Sequence, residues 1–325
     1  MDVPVMLLFF NRPRVLKESF KWIQRVKPRQ LFLVQDGPRC GNMTDIEKVM
    51  KCREIVENID WDCEIRKNYS EENMGCDARE FSGIDWCFQF VDRLIILEDD
   101  CVPAISFYDF CGELLQRYKD NERVNAISGF VRCRETGETM YDYVFSHTCA
   151  GWGWATWKRA WDEALQVYNM EIDEYEKTLH KYKNTIENYA IHNKGYVEKA
   201  INIRRKEEKA GKIISWENIW GLSMMLHNQM SISPKVNMIR YIGISADATH
   251  AHDKIELMPH VIREMVEQPA IELQGTIKHP PYIVRDMQYE KKDYDQYFGR
   301  SSILMHIEVL LLKIRYRRFD IIFGR

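Results

Sequence analysis

Short apolar runs alternating with helical patterns predict an α/β protein: a mostly parallel sheet covered by helices on both faces. Two observations carry this. The apolar runs are continuous rather than alternating with polar residues, as expected of strands buried on both sides. Three of them also run directly into polar residues, Asn11-Arg12, Asp36 and Glu98-Asp99-Asp100. In open parallel sheets ligands bind beyond the carboxyl ends of the strands, so these three points form a candidate site.

The elements follow in order. Val3 to Phe10 reads as a buried strand, and Arg14 to Val26 as a helix with Leu16, Phe20 and Ile23 on one face. Leu31 to Gln35 is a second strand, closed by the turn signal Asp36-Gly37-Pro38. Asp45 to Ile59 is a helix whose apolar face is expected to hold Ile46, Val49 and Met50. Cys63 to Tyr69 is a third strand, Cys76 to Phe90 an aromatic-rich helix, and Leu94 to Leu97 a fourth strand. After Pro103 comes a helix with Phe107, Phe110, Cys111, Leu114 and Tyr118 as core. Asn125 to Val131 and Tyr141 to His147 read as strands, and Trp161 to about Lys209 as charged helix. Residues 254–300, interrupted by Pro259, Pro269, Pro280 and Pro281, read as irregular.

Composition bounds the function. The 325 residues are 45% apolar and 29% charged with a net charge of −3, which excludes nucleic acid as the principal partner. Nine cysteines lie between Cys40 and Cys149 with no close pair, so buried free thiols in a reducing cytosol are expected rather than a zinc site. Met1 to Pro4 has no basic stretch, and Val5 to Phe10 is too short for a signal peptide or a membrane span. A cytoplasmic protein is the expectation.

Four segments carry chemistry. Three consecutive carboxylates at a strand end repel one another and call for a compensating cation; Mg²⁺ or Mn²⁺ fits such oxygen donors. The alternative is a solvated acidic loop or a helix cap. In Ala150-Gly151-Trp152-Gly153-Trp154, the glycines permit close backbone approach and the indoles offer flat faces suited to sugar rings. Gly151 to Trp154 reads as a binding loop, whereas Trp157 and Trp161 read as core. In Ser215-Trp216-Glu217-Asn218-Ile219-Trp220, Glu217 is either a general base held between aromatics or a surface residue in a helix capped by Ser215. His250 and His252 form an H-x-H pair with no third metal ligand nearby, better suited to touching a diphosphate than to binding zinc.

Taken in order, these pieces resemble the nucleotide-sugar glycosyltransferases of the GT-A fold, in particular the N-acetylglucosaminyltransferase I family and bacterial relatives in polysaccharide synthesis. The resemblance covers roughly residues 3–255 and rests on Pro4 to Arg12, Val34-Gln35-Asp36, Leu97 to Asp100, Gly151 to Trp154, Ser215 to Trp220, and Ser233-Pro234-Lys235 followed by Thr249-His250. It implies a GT-A domain over residues 1–255, with a nucleotide-binding part at 1–120 and an acceptor-binding part at 121–255, then a C-terminal helical extension at 256–325. It further implies an inverting transfer from a nucleotide diphosphate sugar, a UDP-sugar above others, to a glycan or lipid-linked acceptor in surface polysaccharide synthesis. Asp100 would hold Mn²⁺ or Mg²⁺, Asp99 the ribose, Glu98 the sugar, Asp36 with Arg12 the base and phosphate side, and Glu217 the acceptor proton. Gly151, Trp152, Trp154 and His250 would line the donor. The chain departs from the family where Glu217 replaces Asp as the base and Asn218 replaces the second acid.

Two other readings stand beside this one: a nucleotidyltransferase that makes the sugar nucleotide, and a non-catalytic sugar-binding protein. The first expects a glycine-rich loop after the opening strand, and Phe10 to Arg14 contains no glycine. Residues 302–325 lie outside the resemblance and mix apolar with basic residues, as in either an ordinary docked helix or a helix lying on the inner face of a membrane.

Overall fold

The computed structural model describes residues 2–315, apart from 134, 138, 150, 191–192, 245–254, 256–257 and 298–301. The chain runs β1 (Val5–Phe9), α1 (Pro13–Val26), β2 (Gln30–Gln35), α2 (Met43–Glu57), β3 (Glu64–Tyr69), α3 (Cys76–Cys87) and β4 (Arg93–Glu98). Next come β5 (Cys101–Pro103), α4 (Ile105–Arg117), β6 (Val124–Ser128), β7 (Tyr143–Ser146) and β8 (Trp154–Trp157). A helical stretch follows: α5 (Lys158–Tyr168), α6 (Ile172–Lys181), α7 (Lys183–Glu187), α8 (Tyr196–Ala210) and α9 (Trp216–Leu226). The remainder is β9 (Met230–Pro234), β10 (Ile239–Tyr241), α10 (His260–Val266), α11 (Met287–Tyr297) and α12 (Ser302–Arg315).

Eight strands form one sheet in the order β3-β2-β1-β4-β8-β6-β9-β7, and β10 pairs with β5 in a small ribbon. β1 is parallel to both β2 and β4, with Val5 opposite Leu31 on one side and Ile95 on the other. β8 enters antiparallel between β4 and β6, bringing Trp154 opposite Ile96 and Ser128. The mostly parallel α/β architecture expected from the sequence is therefore present, with a helical C-terminal region.

The two-residue period of a strand divides β1 cleanly. Val5, Leu7 and Phe9 join a core layer with Leu16, Phe20 and Phe107, while Met6 and Leu8 join an opposite layer with Phe32, Phe81 and Trp161. Both faces of the sheet are thus covered, which is why its central strands carry almost no polar residues. Trp157 and Trp161 are core residues, as expected.

Four expectations need correction. In α2, Ile46 and Met50 are 43% and 49% exposed, and the buried positions are Asp45, Val49, Cys52 and Val56. The apolar face was misplaced because Asp45 is drawn inward by Asn11 and Arg39, which rotates the helix. Trp154 is not a loop residue: it begins β8 and is buried. Residues 254–300 are not uniformly irregular, since α10 forms between Pro259 and Pro269 and α11 forms after Pro281. Cysteines 52, 87, 101, 111 and 133 are buried free thiols, but Cys40 and Cys76 are exposed. Among the described residues no helix is long and apolar enough to cross a membrane.

Gly153, with φ +63°, lets the loop turn into β8 against β10; a Cβ there would lie 2.5 Å from Ile239 Cδ1. Gly153→Ala is expected to cost about 1–3 kcal/mol, read by urea unfolding, through backbone strain and overpacking. A variant as stable as the parent would show that this turn relaxes freely.

Candidate active site

The carboxyl ends of β1, β2 and β4 lie side by side, and each delivers its polar residues to the same edge. After β1, Asn11 Nδ2 donates to Asp45 Oδ1 at 2.7 Å, and Arg39 Nε donates to Asp45 Oδ2 at 2.5 Å. These bonds, Arg39 foremost, hold the Asp45 carboxyl down at about 2. Arg12 turns toward β4. Its guanidinium hydrogen-bonds Asp99 and lies 2.8 Å from Asp100 Oδ2. Burial alone would weaken the Arg12 charge, but Asp99 and Asp100 outweigh it and raise its pKa. Arg12 therefore supplies part of the compensating charge that the acidic triplet demands.

At the end of β2, Asp36 serves the chain itself. One carboxylate oxygen accepts from Gly37 N at 2.9 Å and Met74 N at 2.8 Å; the other accepts from Asn73 Nδ2 at 2.8 Å and Gly75 N at 3.1 Å. Burial nevertheless keeps its pKa above the ordinary value. A ligand donor reaching Asp36 has to compete with these four, and no bond joins it to Arg12 among the described residues.

The triplet is desolvated. Burial raises Asp99 to about 6, aided by Asp100 and opposed by Arg12. Glu98 is pushed well above the usual range by burial, then by Glu80 and Asp100. Glu80, from α3, is itself raised to about 8 by burial and by Glu217. One ligand atom each from Glu98, Asp100 and Cys101 lies within 4.8 Å of the others, and the same holds for Cys76, Glu80 and Glu98. The donors suit a hard divalent cation. Desolvation pushes the Cys76 and Cys101 thiols up, and a hard cation prefers the carboxylate oxygens beside them. The backbone at Gly243 closes over this point, where a Cβ would collide with Asp100 and Tyr241.

Beside the triplet is a cavity of about 710 Å³. Its lining includes Cys76, Asp77, Glu80 and Glu98, then Gly151, Trp152, Trp216 and Glu217, and also Arg132, His147 and Tyr189. Glu217 sits exposed in the first turn of α9. Ser215 makes no side-chain cap there; instead Asp77 Oδ1 accepts from Trp216 N at 3.3 Å and ties α9 to α3. A Cβ on Gly151 would lie 3.9 Å from Glu217 Oε1, so backbone faces the carboxylate. Trp152 is fixed by stacking on Tyr241, with ring centroids 4.3 Å apart and planes at 9°. Trp154 stacks under Trp216 at 5.7 Å and meets Trp220 at 5.2 Å. Trp154 is buried and lines the cavity as well.

His147 was not singled out in the sequence. Its Nδ1 donates to the Tyr189 carbonyl at 2.5 Å, and its ring stacks on the Tyr189 ring at 3.7 Å. Burial lowers its pKa, so the ring is neutral at neutral pH and Nε2 carries the lone pair. Cys76, Asp77 and Glu80 were also missed. Their helical spacing was readable, but their approach to Glu98 and Glu217 depends on how α3 packs. His250 lies outside the described residues.

No known family profile matches the chain, and no curated protein matches it. Among solved structures, 4-diphosphocytidyl-2C-methyl-D-erythritol synthase from Anaerococcus prevotii is similar at 11% identity and a TM-score of 0.31, covering 56% of this chain and 84% of that one. UDP-glucose pyrophosphorylase, solved in complex with UDP-glucose, is similar at 7% identity and a TM-score of 0.37, covering 72% and 90% respectively. At these values the likeness says nothing about chemistry.

Between pH values of about 4.5 and about 8 the folded chain keeps a proton on Glu80 that the unfolded chain releases, so stability falls as pH rises through that window. Glu80→Gln is expected to flatten this fall, with its advantage over the parent larger near pH 8 than near pH 5. Urea melts at the two pH values read it, and an equal difference at both would clear Glu80 of titrating.

Proposed function

We propose that this chain is a metal-dependent glycosyltransferase of the GT-A fold. It moves a sugar from a nucleotide diphosphate donor, a UDP-sugar above others, to a hydroxyl of a glycan or lipid-linked acceptor. The work falls in the cytoplasm, in surface polysaccharide assembly. One observation carries this reading: Glu98, the first residue of the strand-end acidic triplet, and a separate carboxylate, Glu217, line the same cavity beside the carboxyl ends of parallel strands.

In this reading Asp100, with Glu98 alongside, holds Mn²⁺ or Mg²⁺, which would neutralise charge on the departing diphosphate. Arg12 keeps Asp99 and Asp100 in register, so that Asp99 can meet the ribose and Glu98 the sugar. Trp152 and Gly151 form the wall against which the sugar lies. Glu217 accepts the proton of the acceptor hydroxyl, and an attack from its side opposite the leaving group inverts the anomeric centre. The like charge of Glu80 beside it favours proton uptake by the pair. The absence of glycine between Phe10 and Arg14 leaves no phosphate-cradling loop, which favours this reading over nucleotidyl transfer.

Calorimetry with a panel of nucleotide sugars tests it. Donor binding is expected only with Mn²⁺ or Mg²⁺ and is expected to vanish in Asp100→Ala; equal affinity in a chelator overturns metal dependence. Release of pyrophosphate from a nucleoside triphosphate and a sugar phosphate would instead establish the nucleotidyltransferase. Glu217→Gln is expected to keep donor affinity while kcat falls about 10²- to 10⁴-fold. Unchanged turnover would remove Glu217 from the base role.

A further inference from the structure

His147 and the acidic triplet come to the cavity from different parts of the sheet. Glu98 closes β4, whereas His147 directly follows β7, the edge strand four places further across. At a spacing of about 4.8 Å per strand, those two strands stand roughly 19 Å apart. Both residues nevertheless line one cavity of about 710 Å³. A cavity of that reach has room for one group bound at the triplet and a second at His147.

The imidazole is tightly held. Glu290 Oε1 accepts from His147 N at 2.7 Å, and Arg285 Nε donates to the same carboxylate oxygen at 2.9 Å. His147 Nδ1 donates to the Tyr189 carbonyl at 2.5 Å, and the Tyr189 ring covers one face of the imidazole with planes at 9°. Tyr189 is fixed in turn, since its hydroxyl donates to the Gln229 carbonyl. What remains for the cavity is the other face and the edge that carries Nε2, and Nε2 has no partner among the described residues. A lone pair held in one place and left unused is preorganised to accept a hydrogen bond. Three other residues that line the cavity each carry a buried polar atom without a partner among the described residues: the acceptor Asn193 Oδ1 and the donors Trp154 Nε1 and Trp220 Nε1. An alkyl chain would leave all four atoms unpaired. An anion would answer the two indoles but set its charge against the lone pairs of His147 and Asn193. Closely spaced hydroxyl groups, each both donor and acceptor, suit the mixture.

We propose that His147 anchors a second sugar subsite in this cavity, where a hydroxyl of the bound sugar donates to Nε2. The subsite holds the acceptor, and that attribution rests on the reading of the cavity as a glycosyltransferase site. The binding of a sugar at His147 does not rest on it.

Titration of the full chain with a panel of methyl glycosides (hexosides, deoxyhexosides and N-acetylhexosaminides) in EDTA, followed by nitrogen-15 NMR of labelled histidine, tests it. At least one glycoside is expected to bind and to shift the Nε2 resonance of His147 while Nδ1 stays. His147→Phe keeps a ring against Tyr189 and loses the lone pair, and it is expected to weaken that glycoside about 5- to 100-fold. His147→Gln, whose amide oxygen can reach the place of Nε2, is expected to stay within about threefold of the parent. Far-UV circular dichroism checks that both variants fold, and the Nε2 shift of the parent depends on neither. No glycoside binding, an unmoved Nε2, or equal affinity in His147→Phe overturns the proposal. The chelator strips any metal from the triplet, so failure of metal-dependent donor binding leaves this result standing. Failure here likewise leaves donor binding standing.

Discussion

The guanidinium of Arg12, held between Asp99 and Asp100, is the interaction on which the site depends. Carboxylates packed at the end of a buried strand repel one another and lose solvation, and protonation is the easy escape. Arg12 counters this without leaving the chain, because β1 and β4 are adjacent and parallel and their ends reach the same edge. The clamp spans two strands far apart in sequence, so it also ties the start of the fold to its acidic centre. Its charge reaches Glu98 without offsetting the burial there, so Glu98 and Glu80 remain raised and are the carboxylates that stand to gain from an additional cation.

Around this centre the cavity is assembled from elements that belong to different layers. α3 contributes Glu80 and Asp77, and Asp77 in turn accepts from the first backbone N–H of α9. That bond fixes the helix end that carries Glu217. Trp154, Trp216, Trp220 and Trp161 form a run of ring contacts beneath it, so the wall is rigid where the chemistry needs position. Buried indoles of this kind each contribute several kcal/mol when truncation is the comparison, about 3–5 by the usual range. The site thus borrows its precision from an aromatic core rather than from loops.

Much of the first half of the fold was legible because parallel strands covered on both faces read as continuous apolar runs. The strands expected at Val3 to Phe10, Leu31 to Gln35 and Leu94 to Leu97 formed as Val5–Phe9, Gln30–Gln35 and Arg93–Glu98, and their polar ends met at one edge. Legibility failed where a polar contact overrode periodicity. In α2 the buried pairing of Asp45 with Asn11 and Arg39 turned Ile46 and Met50 outward. It failed again at Trp154, read as the end of a glycine-rich binding loop, which begins the antiparallel strand between β4 and β6. The prolines between 254 and 300 concealed two helices because Pro259 precedes α10 and the other three fall between α10 and α11, leaving both interiors free of proline.

The sequence by itself determined the layered α/β architecture, the strand-end position of Glu98-Asp99-Asp100 and the core role of Trp157 and Trp161. These follow from local periodicity and from the cost of burying polar groups, both of which act within a few residues. Only the tertiary structure decided that Arg12 answers Asp99 and Asp100, that Asp36 is engaged by the 73–75 segment, and that Glu80 and His147 join the cavity with Glu217. Those are encounters between side chains tens to well over a hundred residues apart. Charge and desolvation act through space, and a linear pattern carries no record of which groups the packing of helices on a sheet will bring together.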